Sequence, residues 1–482
     1  MSNIPHFPRM IAGIVSKSDT QHEVRAPYDN ELLATVDTVN EQDINRALTI
    51  ASKLHHDRSA WIAIPERISI LERAIALMEE QAEELAIHSA HEGGKPLIDS
   101  RVEMARCIDS FKLCVETLRT DSPKPVPMSL NAASQHRLTM MKKEPIGVVV
   151  AVSAFNHPLN LIAHQIGPAI ASGCPVIVKP ADDTPLSCLR LVNIIHQAGF
   201  PPEWCQVVLP TNHQVAEQLV TDPRVAFFSF IGSARVGWYL RSKLAPGTRC
   251  ALEHGGVAPV IMTEDADLNK AIPALAKGAF YHAGQVCVSV QRIFAHESIV
   301  QEVAQQLSIA AQKLIVGDPL SDKTEVGPLI REAEGIRIAS WVDEAVEQGA
   351  KLLCGGNLLP NNSYEPTVLY NPSLKSKVSH SEIFGPVVCI YPYTDLDQAI
   401  NTANSLDVAF QASVYSQDID VALSISNQLA ASAVMINEHT AFRVDWMPFA
   451  GLRHSGLGTG GIPYTMEDMQ IDKMIVITSK NI

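Results

Sequence analysis

The stretch that decides the fold class is Ile146-Gly147-Val148-Val149-Val150-Ala151-Val152, a short run rich in β-branched residues. Such a run is typical of a strand that is buried on both faces of a parallel sheet. Helical patterns and further short apolar runs alternate after it, as far as about residue 231. This alternation predicts a doubly wound α/β unit.

A second α/β unit is predicted after Gly255-Gly256. Its strands are expected at 259–262, 290–295, 387–391, 412–415 and 433–436. Before the first unit, Pro65 begins a long helical pattern that Gly93-Gly94 ends.

Two predicted strands lie outside both units, at 133–143 and 473–478. An exposed pair of strands is suited to a subunit interface, because each edge can pair with another chain.

The composition excludes several classes of protein. A chain of 482 residues with 46% hydrophobic and 19% charged residues is globular and long enough for two or three domains. Its net charge of −14 argues against nucleic acid as a partner. The sequence has no run of 18 apolar residues, so we expect no membrane span. Its N-terminus does not resemble a secretory signal. Nine irregularly spaced cysteines without a C-x-x-C pair predict reduced thiols in a cytoplasmic protein, and no metal site.

Short motifs follow the predicted strands, where ligands of open α/β sheets bind. Gly232 and Gly237 would let backbone N–H groups approach a pyrophosphate, although a plain strand–helix turn explains them equally well. Lys179 and Asp182 are suited to bind ribose hydroxyls, or form only a surface ion pair.

Three further residues are candidates for chemistry. Asn156 can donate its amide to an oxyanion, or it belongs to a turn before a helix. Glu253 is a potential general base, or a strand-end carboxylate bonded to backbone. Cys287 is a potential thiolate nucleophile, or an inert buried thiol.

Taken in order, these motifs resemble those of the aldehyde dehydrogenase superfamily over about residues 20–480, and most closely its lactaldehyde, phosphonoacetaldehyde and semialdehyde dehydrogenase-like branch. The resemblance is carried by Phe155-Asn156-His157-Pro158, Val178-Lys179-Pro180-Ala181, Ile231-Gly232-Ser233 with Gly237, Leu252-Glu253-His254-Gly255-Gly256, Gly284-Gln285-Val286-Cys287, Glu382-Ile383-Phe384-Gly385-Pro386 and Pro448-Phe449-Ala450-Gly451 with its continuation to Gly456.

The resemblance implies a Rossmann-type NAD-binding domain, an α/β catalytic domain and a small β oligomerisation flap. The corresponding ranges are 1–122 with 144–254, then 255–445, and 123–143 with 463–482. The flap implies a homodimer or a homotetramer.

The implied reaction is oxidation of an aldehyde to an acid. Cys287 attacks the aldehyde, and the oxyanion is held by the Asn156 amide and the Cys287 N–H. After hydride transfer to the nicotinamide, Glu253 activates the water that hydrolyses the thioester. The resemblance implies cofactor contacts for Ser153, Phe155, Lys179, Asp182, Gly232, Ser233, Gly237, Glu382 and Phe384.

Asp182 favours NAD over NADP, because a carboxylate accepts from a free 2′-hydroxyl and repels a 2′-phosphate. NADP stays possible, since Asp is one methylene shorter than the Glu that is common at this position.

The chain departs from the family at an accessory proton route. Many members pair a Lys with a Glu where this chain has Gln165 and Gly460. Any such relay must therefore be replaced by water or be lost.

The implied substrate pocket contains Arg106, His157, Val286, Val288 and Arg443. We expect a small aldehyde with an anionic or hydroxyl group, met by Arg106 or Arg443. The alternative is that these arginines are ordinary surface or interface residues. Val286 argues against a phosphonate substrate, because family members that prefer a phosphonate tend to have Arg immediately before the nucleophile.

Three other functions stay open. A CoA-acylating semialdehyde dehydrogenase usually lacks the base that Glu253 provides. A cysteine esterase would use Cys287 without NAD, and a silent structural protein would bind NAD without turnover.

Overall fold

The computed structural model describes residues 4–482. Residues 1–3, at the start of the predicted cofactor domain and of the segment considered as a secretory signal, lie outside it. The strands, numbered in chain order, are β1 His6–Phe7, β2 Arg9–Ile11, β3 Ile14–Ser16, β4 Gln21–Arg25, β5 Leu32–Asp37, β6 Lys124–Pro125, β7 Arg137–Pro145, β8 Val148–Val152, β9 Val176–Lys179, β10 Cys205–Val207, β11 Val225–Ile231, β12 Arg249–Glu253, β13 Pro259–Met262, β14 Arg292–His296, β15 Lys351–Cys354, β16 Thr367–Tyr370, β17 Val387–Tyr393, β18 Val408–Ala409, β19 Gln411–Tyr415, β20 Ala433–Ile436, β21 Leu452–Arg453, β22 Gly456–Leu457 and β23 Gln470–Thr478.

The α-helices are α1 Glu41–His56, α2 Ile64–Glu80, α3 Ala82–Gly93, α4 Leu97–Thr120, α5 Asn160–Ser172, α6 Pro185–Gln197, α7 His213–Thr221, α8 Ala234–Arg241, α9 Leu268–Phe280, α10 Val300–Lys313, α11 Glu332–Glu347, α12 Lys377–His380, α13 Leu396–Asn404, α14 Ile419–Gln428 and α15 Ile462–Asp468. Short 3₁₀ turns lie at Arg58–Ala60, Ala132–Ser134 and Tyr281–Gly284. Within residues 4–482, no helix is both long and apolar enough to span a membrane.

The first sheet has the strand order β10-β9-β8-β11-β12-β22 and is parallel except for β22. In β8, Val149 and Ala151 belong to one apolar core, and Val148 and Val150 belong to another on the opposite face. The β-branched run is therefore buried on both faces, as predicted from the sequence. The strand order reverses between β8 and β11, which makes the carboxyl ends of these strands the expected ligand-binding crevice.

The second sheet has the order β15-β16-β17-β14-β13-β19-β20 and is parallel except for β15. Its helices and strands share one large apolar core. The mixed α/β fold class with parallel sheets is thereby confirmed.

The third sheet has the order β23-β7-β6 and is antiparallel. Strand β23 pairs with β7 along its full length, from Gln470 with Pro145 to Thr478 with Arg137. Most of β23 is exposed, including the apolar side chains of Met474 and Val476. Helix α15 precedes β23 and packs in the core of the first unit through Ile462 and Met466.

The long helix predicted after Pro65 is two helices, because the backbone leaves helical geometry at Gln81 (φ −101°, ψ 10°). The break lets α2 and α3 each pack against α4. Helix α1 was not foreseen, although Asn40 and Asp43 form a capping box at its start.

Candidate active site

Strands β8, β9, β11 and β12 end at one edge of the first sheet, and a cavity of about 1150 Å³ lies against that edge. The second unit supplies the opposite wall. Almost all of the predicted site residues line this cavity, namely Arg106, Ser153, Phe155, Asn156, His157, Lys179, Asp182, Gly232, Ser233, Glu253, Val286, Cys287, Val288, Glu382, Phe384 and Arg443.

Gly237 is placed differently from the other predicted residues. It lies inside α8, where an added Cβ would overlap the His254 ring. A glycine at 237 therefore lets His254 pack against α8, and contact of Gly237 with a cofactor stays a prediction.

Cys287 follows a tight turn in which His282, Ala283 and Gly284 have φ angles of 48°, 53° and 67°. Left-handed backbone costs a non-glycine residue of order 1–3 kcal/mol, so packing must hold this turn in place. A Cβ at Gly284 would overlap the carbonyl oxygen of Gly385, which explains the glycine three residues before the cysteine. The turn directs the Cys287 segment into the cavity.

The surroundings of Cys287 oppose ionisation of its thiol. Burial raises its pKa to about 12, the charges of Glu382 and Glu253 act in the same direction, and Arg443 acts against them. Reaction as a thiolate therefore requires a base or additional positive charge in the cavity.

Asn156 connects the first unit to the cysteine segment. Its Nδ2 donates to the carbonyl oxygen of Gln285, two residues before Cys287, at 2.9 Å. The Gln285 side chain in turn accepts from Ile330 N at 3.0 Å, which fixes the segment on its other side. The amide of Asn156 is thus held beside the nucleophile segment, and its role as an oxyanion donor stays a prediction.

Glu253 ends β12, where burial raises its pKa to about 7 and Arg443 opposes this rise. A carboxylate with that pKa can exchange protons near neutral pH, as a general base must. An added Cβ at Gly460 would overlap Glu253 Oε1, so this glycine leaves room for the carboxylate. Gln165, at the position where many family members have the accessory Lys, donates to Val152 O and to Ser229 O and Oγ, at 3.1–3.2 Å.

The cofactor side of the cavity fits a nicotinamide dinucleotide. Glu382 Oε1 and Ser153 Oγ are buried without a hydrogen-bond partner within residues 4–482, as expected for atoms that await ligand hydroxyls. Burial raises the pKa of Glu382 to about 8. Lys179 Nζ lies 2.6 Å from Asp182 Oδ1 at the end of β9, so the ion pair that the sequence left open is formed at the cavity, and contact of either group with a ribose stays a prediction.

The two candidate substrate arginines have different surroundings. Arg106 donates through Nε and Nη2 to the two Asp445 oxygens, at 3.0 and 2.7 Å. Arg443 has no carboxylate partner in the part of the chain that the structure describes, and its guanidinium lies 3.9 Å above the Phe449 ring. Burial lowers the pKa of Arg443 to about 10, which leaves it charged at neutral pH.

Asp445 does not line the cavity itself, but it binds three residues that do, and sequence reasoning missed it. It is buried and also accepts from Asn160 Nδ2 at 3.1 Å, with His164 Nε2 2.7 Å away. Burial would raise the pKa of Asp445, but His164 and Arg106 outweigh it and hold the pKa well below its usual value. Nothing in the local sequence relates Asp445 to Arg106, because the contact is formed only by the folded chain.

His157 lines the pocket beside Tyr281, which was also missed, with Nε2 2.9 Å from the Tyr281 hydroxyl. Burial lowers the pKa of His157 well below its usual value, so the ring is neutral. The pair offers a hydrogen-bonding group to a substrate but no charge.

Comparison with known proteins agrees with this geometry. The model of the aldehyde dehydrogenase family matches residues 14–475. A 3-sulfolactaldehyde dehydrogenase of Priestia aryabhattai is 35% identical over 478 residues, covering 99% of both chains. A lactaldehyde dehydrogenase of Methanocaldococcus jannaschii is 35% identical over 460 residues, covering 95% of this chain and 97% of the relative.

Solved structures of aldehyde dehydrogenases have a similar fold. The crystal structure of aldehyde dehydrogenase 21 from Physcomitrella patens, in complex with the reaction product succinate, has a TM-score of 0.94 and 34% identity and covers 99% of both chains. Other similar structures contain NADP or NAD⁺. The chain therefore belongs to the aldehyde dehydrogenase family, whose members oxidise aldehydes with NAD(P).

Proposed function

We propose that this enzyme oxidises a small aldehyde with an anionic group at its far end, and that Arg443 binds that group. The observation that carries the proposal is the contrast between the two arginines of the pocket. Asp445 neutralises Arg106, whereas Arg443 has a charged guanidinium that faces the cavity without a carboxylate partner among the described residues. A cation that lines a cavity with no carboxylate in contact, and only the more distant charge of Glu253 acting on it, favours an anionic ligand.

The names of relatives support the same substrate class. A relative acts on 3-sulfolactaldehyde, and a solved neighbour was crystallised with succinate. The lactaldehyde dehydrogenases among the relatives point to a hydroxyl, for which His157 and Tyr281 offer a neutral partner.

The proposed reaction runs through Cys287. The thiol loses its proton to solvent, and the sulfur then forms a bond to the aldehyde carbon. Asn156 Nδ2 and the Cys287 N–H donate to the oxygen that becomes negative. Bound NAD(P) supplies the acceptor for the hydride that leaves that carbon. Glu253 then removes a proton from water, whose oxygen attacks the thioester and releases the acid and the thiol.

We further propose NAD as the preferred cofactor, with NADP possible. Asp182 lies at the cavity with Lys179 as its partner, so its carboxylate can accept from a 2′-hydroxyl and repel a 2′-phosphate. The reduced cysteines expected from the sequence favour a cytoplasmic location, and the exposed apolar strand β23 favours a homodimer or homotetramer.

The test compares succinate semialdehyde with butanal, which has the same number of carbons and no anion. NADH formation is measured with NAD and without CoA, which also tests the CoA-acylating alternative. Arg443→Met is expected to lower the ratio of kcat/KM for the semialdehyde to kcat/KM for butanal by roughly 10- to 100-fold, because a charged hydrogen bond to the semialdehyde is lost. Any loss of Cys287 reactivity in this variant affects both aldehydes alike and cancels in the ratio.

Arg101→Met is the matched control, since Arg101 pairs with Glu83 and Asp322 at the surface. Arg106→Met is expected to lower both rates, because Asp445 stays buried and loses the guanidinium that pairs with both of its oxygens. Equal losses for both aldehydes in Arg443→Met would refute the role given to Arg443.

A further inference from the structure

We propose that Lys95 and Glu103 form a buried clamp that positions Asn156, and that the rate of Cys287 acylation depends on this clamp. Neither residue lines the cavity, so both are positioning residues. The inference rests on the proposed role of Asn156 as oxyanion donor.

Glu103 lies on α4 and is 1% exposed. Its Oε1 accepts from the backbone N–H groups of Leu159 and Asn160, at 2.8 and 2.9 Å. These groups belong to the first turn of α5, whose N-cap residue Leu159 has no side chain that can cap the helix. Glu103 therefore caps α5 from another helix, and its charge is favourable at that end.

Lys95 holds the other end of the same turn. It is 1% exposed and donates through Nζ to Glu103 Oε2 and, at 3.2 Å, to the carbonyl oxygen of Asn156. One ion pair thus binds the backbone at Asn156 and again at residues 159–160. Since Asn156 Nδ2 also donates to Gln285 O, the clamp and the nucleophile segment fix Asn156 from opposite sides.

A buried ion pair is costly, because each ion must be desolvated. Apolar side chains of similar volume often stabilise a protein as much as such a pair does, or more. What apolar side chains cannot do is hold a carbonyl and two N–H groups in fixed places. A misplacement of about 1 Å at a reacting group can cost about 100-fold in rate. We therefore expect the clamp to contribute to the acylation rate through the placement of the Asn156 amide.

The experiment is a double-mutant cycle between the clamp and Asn156. The clamp is neutralised by Lys95→Met with Glu103→Gln, which leaves no unpaired buried charge. Each protein is mixed with NAD and succinate semialdehyde, and the rate of the first NADH turnover is measured by stopped flow. In the protein with Asn156, neutralising the clamp is expected to slow the burst by at least 30-fold. In Asn156→Ala, the same neutralisation is expected to slow the burst by less than threefold relative to Asn156→Ala alone.

Two further readouts separate positioning from general damage. NAD affinity and the rate of Cys287 alkylation by iodoacetamide, which forms no oxyanion, are expected to change less than threefold. Lys112→Met is the matched control, because Lys112 lies on α4, as Glu103 does, and pairs with Glu79 at the surface. If the double variant does not fold, Glu103→Gln alone, which keeps the shape of the side chain, is expected to slow the burst and to show the same dependence on Asn156.

The outcomes separate the two proposals. Equal fold losses with and without Asn156, or a burst unchanged by neutralising the clamp, would overturn the clamp and leave the proposed reaction intact. A full burst rate in Asn156→Ala would instead overturn the oxyanion role in the proposed function.

Discussion

The rate of thioester hydrolysis should depend on pH through Glu253. Burial places the pKa of this carboxyl at about 7, and only its ionised form can accept a proton from water. With that pKa, about one-tenth of the carboxyl is ionised at pH 6 and about nine-tenths at pH 8. We therefore expect the hydrolysis rate to rise about tenfold between these values and then to level off.

The assay separates acylation from hydrolysis by stopped-flow NADH fluorescence. The burst reports acylation, and the slower linear phase reports hydrolysis where this step limits turnover. Glu253→Gln should retain a burst, slow the linear phase by about 100-fold or more, and remove the rise near pH 7. Addition of a thiol that accepts the acyl group should restore the linear phase of this variant.

Two results would refute this reasoning. A midpoint near 4.5, the ordinary value for a glutamate, would mean that Glu253 is not buried during the reaction. A rise near pH 7 that persists in Glu253→Gln would mean that another group is the base.

Three other predictions follow from the same cavity. Gly255→Ala should weaken NAD binding by at least tenfold in a fluorescence titration, because the new Cβ would overlap Glu382 Oε1; an unchanged Kd would exclude a ribose contact by Glu382 in this position. Alkylation of Cys287 at pH 8, followed by mass spectrometry, should be slower in Arg443→Met and faster in Glu382→Gln, because Arg443 lowers the thiol pKa and Glu382 raises it; effects of the opposite sign would contradict this electrostatic account. Glu253→Gln should raise the free energy of unfolding, measured in urea, by up to about 3 kcal/mol at pH 8 and by little at pH 4. The reason is that the pKa of Glu253 is near 4.5 in the unfolded chain and about 7 in the folded one, so the native protein loses stability as the pH rises between these values. Equal effects of the substitution at both pH values would contradict this reasoning.

The sequence predicted the parallel strands well because they are apolar runs with a local signature. Val148–Val152 and Val225–Ile231 were both expected, and so was the edge at which their carboxyl ends meet. The cysteine, glutamate and asparagine motifs were recognised as a set, and the fold brings them to one cavity. Their roles in the reaction stay predictions.

The supporting charges could not be predicted in the same way. Glu103 and Arg106 look like ordinary polar residues of an amphipathic helix, and Asp445 lies in a loop without periodicity. Their partners are distant in sequence, and a buried ion pair has no local signature of its own. The break at Gln81 was missed because glutamine is a good helix former, and the packing of α2 and α3 against α4 cannot be foreseen from the local sequence.

The pairing of β12 with β22 has a consequence for the synthesis of this protein. Glu253 and Leu252 pair on one side with β11 and on the other side with Gly456 and Leu457, which are made much later. Until residue 457 leaves the ribosome, β12 is an open edge strand, which invites pairing with other chains. A protein truncated before Gly456 should therefore aggregate rather than accumulate as a cofactor-binding fragment, and the wall around Glu253 is completed only after about 200 further residues have been made.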